Sequence, residues 1–193
     1  MKTTRFSRRG FALSGLSGLG LAGLSLTAAC GNGVGSNGAS KIDARVDATL
    51  DEMYREYPNT VTLSEKSTGM LIMPLVTKVG FGLGAGFGRG ALQVDGVTVD
   101  YYSTTKISGG LQIGAQQYAH VLFFMTEDAL RDFRRSNGWT AGANLEYVIT
   151  NKGDSISTDT STLLSPVLAA IFAQAGFRVG ATLEGSKYNR IIP

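Results

Sequence analysis

Between Lys41 and Tyr57 the apolar residues Ile42, Val46, Leu50, Met53 and Tyr57 recur at steps of three and four. That spacing predicts an amphipathic helix over residues 41–57, ended by Pro58 and Asn59. From Ser67 onward the period falls to two. "GMLIMP" is a short apolar run, "ALQVDGVTVDYYS" reads as a hairpin turning at Asp95-Gly96, and "TKISGGLQIGAQ" and "YAHVLFFM" follow as strands. Asp-Gly between alternating β-formers is a strong hairpin signature. A second helix then interrupts, with Thr126 as N-cap, Glu127 and Asp128 in its first turn, and Arg131, Arg134 and Arg135 before Asn137-Gly138. Acids at the start and bases at the end suit the helix dipole, and Ala129, Leu130 and Phe133 form its inward face. Beyond it come "WTAGANLEYVIT", a polar turn at Asn151 to Asp154, "SISTDTS", "VLAAIFAQ", "GFRVGATLEGSK" and "YNRIIP". The pattern predicts an α+β fold: one antiparallel, β-rich domain with an N-terminal amphipathic helix and a mid-domain helix.

One segment departs from ordinary strand composition. "GFGLGAGFGRG" carries glycine at every second position from Gly80 to Gly90. A dinucleotide loop needs unequal glycine spacing and a following helix, and a P-loop needs a lysine beside Ser or Thr. Here the spacing is strictly two, and the continuation "ALQVDGVTV" is another strand. The segment is therefore a strand with six glycines on one face and Phe81, Leu83, Ala85, Phe87 and Arg89 on the other. Eleven extended residues would span roughly 35 Å, which predicts a bend or bulge. Each interior glycine costs about 0.5–1 kcal/mol against alanine, so the bare face must admit something close. The protein itself is the expected cover, with Phe81, Leu83 and Phe87 packing on the other side.

The N-terminus changes the charge picture. "MKTTRFSRRG" carries four basic residues and no acid, and the uncharged "FALSGLSGLGLAGLSLTAA" ends in small residues, as in an export signal. "SRRGFAL" fits the twin-arginine pattern except at Ala12. The only cysteine, Cys30, ends "LTAAC" and is predicted to be a lipid-attachment site, which removes the only thiol from other chemistry. Gly31 after it, in place of aspartate, suits passage to the outer membrane in enteric-type sorting. The predicted organisation is a twin-arginine-type lipoprotein signal peptide over residues 1–29, a lipidated Cys30 with a flexible tether to residue 40, and a domain over 41–193. The whole chain has 18 basic and 15 acidic residues. Without the four basic residues of the signal, 14 basic face 15 acidic, so the basic balance of the whole chain says nothing about nucleic acid, and none is expected as a partner.

Catalytic constellations are sparse. The single histidine, His120, lies inside "YAHVLFF" and reads as a core or edge-strand residue; no glycine-flanked serine makes a nucleophile elbow, and no zinc spacing exists. No enzyme activity, metal or cofactor is expected. The remaining cations are oddly placed: Lys78 and Arg89 flank the glycine strand, Lys106 opens a strand, and Lys187 and Arg190 sit in "EGSKYNRI". If Lys78, Arg89, Lys187 and Arg190 converge, they would hold a phosphate head group by charge-assisted hydrogen bonds. Scattered, solvated charges are the alternative.

The blocks "GMLIMPLVTKVGFGLGAGFGRGAL", "VDYYSTTKISGGLQIGAQQYAHVLFFMT", "ALRDF", "GWTAGAN" and "LEGSKYNRI" together resemble the SYLF domain family over roughly residues 41–193. Members are lipid-binding modules of eukaryotic actin-associated proteins and of many bacterial lipoproteins. The resemblance implies a non-catalytic module that associates with phospholipid or phosphoinositide head groups. The expected partner is a phospholipid membrane at the periplasmic side of the envelope, in the outer membrane. The alternative is a structural lipoprotein that binds another envelope component.

Overall fold

The computed structural model describes residues 35–142, 145–149, 165–176 and 182–193, with backbone alone at 81–83, 108–113, 149 and 173–176. The segment read as a signal peptide, Cys30 and residues 31–34 of the expected tether lie outside them, as do the turn at Asn151 to Asp154 and "SISTDTS", while the last three residues of that tether open the first helix. Helix α1 spans Gly38–Glu56, and α2 spans Asn59–Lys66. Strand β1 runs Gly69–Val94, β2 runs Val97–Phe124, and α3 covers Glu127–Arg135. Four further strands complete the described order: β3 (Trp139–Thr140), β4 (Glu146–Ile149), β5 (Val167–Gly176) and β6 (Lys187–Ile191). No helix among the described residues is long and apolar enough to cross a membrane.

The fold is α+β, as the periodicities predict, with α1 at the N-terminal side and α3 in mid-domain. Three details differ from the prediction. Helix α1 stops before Pro58, as expected, but Pro58 then opens a further helix, α2, because proline's fixed φ and missing N–H suit a first turn. The separate strand segments fuse into two very long strands, β1 and β2, which pair along their whole length from Gly69↔Phe124 to Val94↔Val97. One pairing, β4 with β5, is parallel.

The β1–β2 turn follows the Asp-Gly signature: Asp95 and Gly96 both have positive φ, 50° and 74°, the conformation a tight primed turn demands. Register shifts at Met73/Val76 and Phe81/Leu83 break the long ladder. Such bulges add twist and bend the strand. The far edge of β2 is shared: β6 pairs with Tyr101–Thr105, and β5 with Gln116–Phe124. The described sheet has the order β3-β6-β2-β5-β4, with β1 along the other edge of β2.

The curled sheet carries an apolar layer on each face. One holds Met70, Ile72, Ala91, Val121, Phe123, Leu168 and Phe172 under Ile42, Val46 and Met53 of α1. The other holds Leu71, Met73, Val76, Leu92, Leu122, Phe124 and Ile171, with Phe133 of α3. Helix α1 is thus docked on its own domain. It is pinned at its start by Asp43, whose carboxylate accepts from the Tyr101 hydroxyl (2.8 Å) and from Thr98 Oγ1 (3.2 Å). Thr126 caps α3 by accepting from the Ala129 amide at 3.2 Å, and Phe133 fixes that helix by packing on Tyr102 and Phe124 with ring centroids 4.8 Å away in each case.

Candidate functional site: a cationic groove beside the glycine strand

The alternation in "GFGLGAGFGRG" survives, and its glycine side is the covered one, as expected. Gly84, Gly86, Gly88 and Gly90 are buried, whereas Ala85, Phe87 and Arg89 are exposed. The bare face points inward because the two halves of β1 meet across the curl. A Cβ on Gly88 would stand 2.7 Å from Val76 Cγ2 and 2.8 Å from the Leu75 carbonyl oxygen. One on Gly90 would overlap the Ile72 carbonyl oxygen. The protein itself covers these glycines. The expected packing of Phe87 is corrected: it is 50 % exposed, since the face it occupies runs beyond the end of α1. Phe81 and Leu83 have side chains outside the described set.

That uncovered face is the floor of a groove of about 560 Å³ between the first turns of α1 and the bend of β1. Leu75, Val79, Ala85 and Phe87 line it, and Lys41, Arg45 and Arg89 stand on its walls. The Arg89 guanidinium lies 5.7 Å from the Phe87 ring centroid, in cation–π range. In the β1–β2 ladder Ala85 faces Ile107, which is 83 % exposed and extends the apolar floor. Lys41 and Arg45 are one helical turn apart and therefore project on the same side of α1. An apolar floor under a cationic rim can take an amphiphile with a negative head group.

The four cations singled out from sequence do not meet. Arg89 joins this groove. Lys78 lies with Lys106 across Gly86, whose absent Cβ leaves 3.5 Å to the Lys106 Cβ and 3.8 Å to the Lys78 Cβ. Lys106 donates to the Thr182 carbonyl at 2.6 Å and to its hydroxyl at 3.1 Å. Burial, and then the Lys78 charge, hold the Lys106 ammonium below the usual lysine range. Lys187 and Arg190 lie on β6 at the other edge of β2. Sequence reasoning missed Lys41 and Arg45, which lie between the apolar positions of the amphipathic helix. Their signal was the one-turn spacing at the helix start, meaningful only once α1 was seen to stop short of Phe87.

His120 is fully buried, and its Nε2 is hydrogen-bonded with the Tyr188 hydroxyl at 2.8 Å. Burial, and then Lys106, push its pKa down to about 3, so the ring is neutral at physiological pH. This is a core histidine of the strand, as its sequence context predicts. Among the described residues no group of three His, Cys, Asp or Glu side chains is placed to hold a metal ion.

Comparison with protein families matches residues 105–190 to Ysc84, described as a Las17-binding protein actin regulator. The matched stretch takes in most of β2, all of α3 and the chain through Arg190 of β6. It agrees with the SYLF resemblance read from the sequence blocks. No curated protein matches the chain significantly.

Proposed function

Because residues 105–190 match the Ysc84 (SYLF) family, we propose that the chain is a non-catalytic binding module that docks on anionic phospholipid of the bacterial envelope. The family description names binding and regulation and no catalysed reaction. Its actin-linked role is not carried over to an exported lipoprotein. The observation that carries the lipid reading is the groove, in which Lys41, Arg45 and Arg89 ring an apolar floor. Each Lys or Arg near an anionic bilayer contributes about 1 kcal/mol. Phe87 and Ile107 add apolar area, worth about 25 cal/mol per Å² removed from water.

The export signal, the lipidated Cys30 and the short tether belong to the same reading. They would hold the domain on the periplasmic side of a membrane, with α1 and its groove close to the lipid. Cys30→Ala should abolish acyl labelling and release the protein from membranes; persistent labelling would remove the anchor from the proposal.

Vesicle flotation of residues 31–193 tests the lipid reading. Phosphatidylglycerol vesicles should bind and phosphatidylcholine vesicles bind less, with affinity falling as salt rises. Arg89→Glu and Arg45→Glu should each weaken binding by about fivefold or more, the equivalent of about 1 kcal/mol. Failure to bind either vesicle at any salt concentration would sink the reading. Recovery of a stoichiometric protein partner by crosslinking, together with that failure, would replace it with a protein-binding role.

A further inference from the structure

A second polar cleft lies at the opposite edge of β2, where the loop after α3 meets β6. It measures about 330 Å³, the small end of ligand-pocket sizes. Its lining is Arg134, Ser136, Asn137, Gly138, Asn189 and Arg190, with no carboxylate and no apolar side chain among them. One carboxylate behind the cleft orients both guanidiniums. Asp100 Oδ2 lies 3.2 Å from Arg134 Nη2 and 3.3 Å from Arg190 Nη2, and the Arg134 Nε–H also donates to it at 3.3 Å. Asp100 is largely shielded, with 15 % of its side chain exposed, whereas the two arginines are about half exposed. Two guanidiniums bring ten N–H donors, more than one carboxylate accepts.

Lys187 lies beside the cleft, outside its lining. Gly138 has φ of 104° and no Cβ, and the Lys187 side chain crosses the vacant position, with Nζ 3.2 Å from where that Cβ would stand. Asn189 Oδ1 lies 2.9 Å from the same point. Glycine at 138 thus lets the loop close on β6 beside Lys187 and Asn189. Two arginines against the single Asp100 carboxylate leave an excess positive charge at the cleft. The planar arginine forks match an oxyanion in two-point geometry. The Asn137 and Asn189 amides both donate and accept, as vicinal hydroxyl groups require, and Ser136 Oγ, which donates to the Phe133 carbonyl, adds an acceptor.

We infer that this cleft binds an oxyanion carried on a small polyhydroxylated unit, a sugar phosphate being the fitting class. The oxyanion lies on Arg134 and Arg190, and the hydroxyl groups on Asn137, Asn189 and Ser136. The site is separate from the lipid groove and rests on no part of that reading, since neither its lining nor Lys187 contributes to the groove walls.

Calorimetric titration of the full chain in detergent micelles tests it, with glucose 6-phosphate, inorganic phosphate and glucose as probes and phosphatidylglycerol vesicles as a separate arm. Glucose 6-phosphate should bind at least tenfold more tightly than inorganic phosphate, and glucose should give no heat. Arg190→Gln and Asn137→Ala should each weaken binding by about tenfold, and Arg89→Glu should leave it unchanged. Because Arg190→Gln also disturbs Asp100, the exposed Asn137→Ala variant keeps the test independent of folding. No heat with glucose 6-phosphate, equal binding of inorganic phosphate, or full binding by both cleft variants would each overturn the assignment. Vesicle binding lost in Arg190→Gln, without sugar-phosphate binding by the parent chain, would also overturn it and make the cleft a lipid contact.

Discussion

The covered glycine face can be tested one Cβ at a time, because three of its glycines have graded surroundings. None of Gly86, Gly88 and Gly90 has positive φ, so alanine meets no backbone strain at any of them, and the neighbours alone decide the outcome. At Gly86 the nearest atoms to an added Cβ are 3.5–3.8 Å away, in ordinary contact. Gly86→Ala should therefore be neutral or stabilising by about 0.4–1 kcal/mol, through reduced freedom of the unfolded chain. At Gly88 the contacts of 2.7 and 2.8 Å include a backbone oxygen, and overpacking of this kind costs about 1–3 kcal/mol. At Gly90 the Ile72 carbonyl must itself move, which should cost more than about 3 kcal/mol and threaten folding of a domain only about 5–15 kcal/mol stable. Thermal unfolding of the three variants reads the order directly, at roughly 2–4 °C per kcal/mol for a chain of this size. The Gly86 variant should match or exceed the parent, Gly88→Ala should melt several degrees lower, and Gly90→Ala lowest or not fold. Equal effects at Gly86 and Gly90, or a harmless Gly90→Ala, would refute the meeting of the two halves of β1.

Three further outcomes follow from the packing. The fold holds His120 neutral down to about pH 3, while in the unfolded chain it takes up a proton near pH 6.5. Its contribution to stability is therefore full above pH 6.5 and is lost as pH falls toward 3, at up to about 1.4 kcal/mol per pH unit. Urea midpoints measured from pH 7.5 to 5 should show this loss in the parent and a shallower one in His120→Asn; identical slopes would contradict it. Tyr101 has its pKa pushed up to about 12 by burial and then by the Asp43 carboxylate, so Asp43→Asn should lower it part-way toward 10 in an ultraviolet titration, and no shift would contradict the contact. Thr126→Ala should cost about 1 kcal/mol by removing the α3 cap, read as a lower urea midpoint with an unchanged m-value.

Local chemistry was legible. The helix of residues 41–57, the Asp95-Gly96 turn and the Thr126 cap each depend on neighbours a few residues apart, and each appears within a residue or three of its expected place. What escaped depends on distant pairing. What lies over the glycines is set by Ile72, Leu75 and Val76, brought over Gly88 and Gly90 by the bend of β1. Phe87, opposite the glycines, was expected to pack as well, and that inference fails because α1 stops short of it. The grouping of the cations was hidden for the same reason. Arg89 meets Lys41 and Arg45 through the docking of α1, and Arg190 meets Arg134 through Asp100, across 34 to 90 residues of chain.

The strict period of two has a consequence for binding as well as for folding. A strand with alternating glycines can approach its own other half only along the glycine side, so its remaining residues are forced to the outer face. There α1 covers Ala91 but stops short of Phe87 and Ala85. Covering those positions internally would need a longer helix or larger apolar side chains directed from it. The first turns of α1 instead offer Lys41 and Arg45 at the rim. A face meant only for solvent would not need Phe87 half exposed and Ile107 almost fully so, and a face meant for a helix would not be ringed by guanidinium groups. Closing the curl with glycine therefore leaves, on the opposite side of the same strand, an exposed apolar strip bordered by Lys41, Arg45 and Arg89, the surface on which the proposed lipid docking rests.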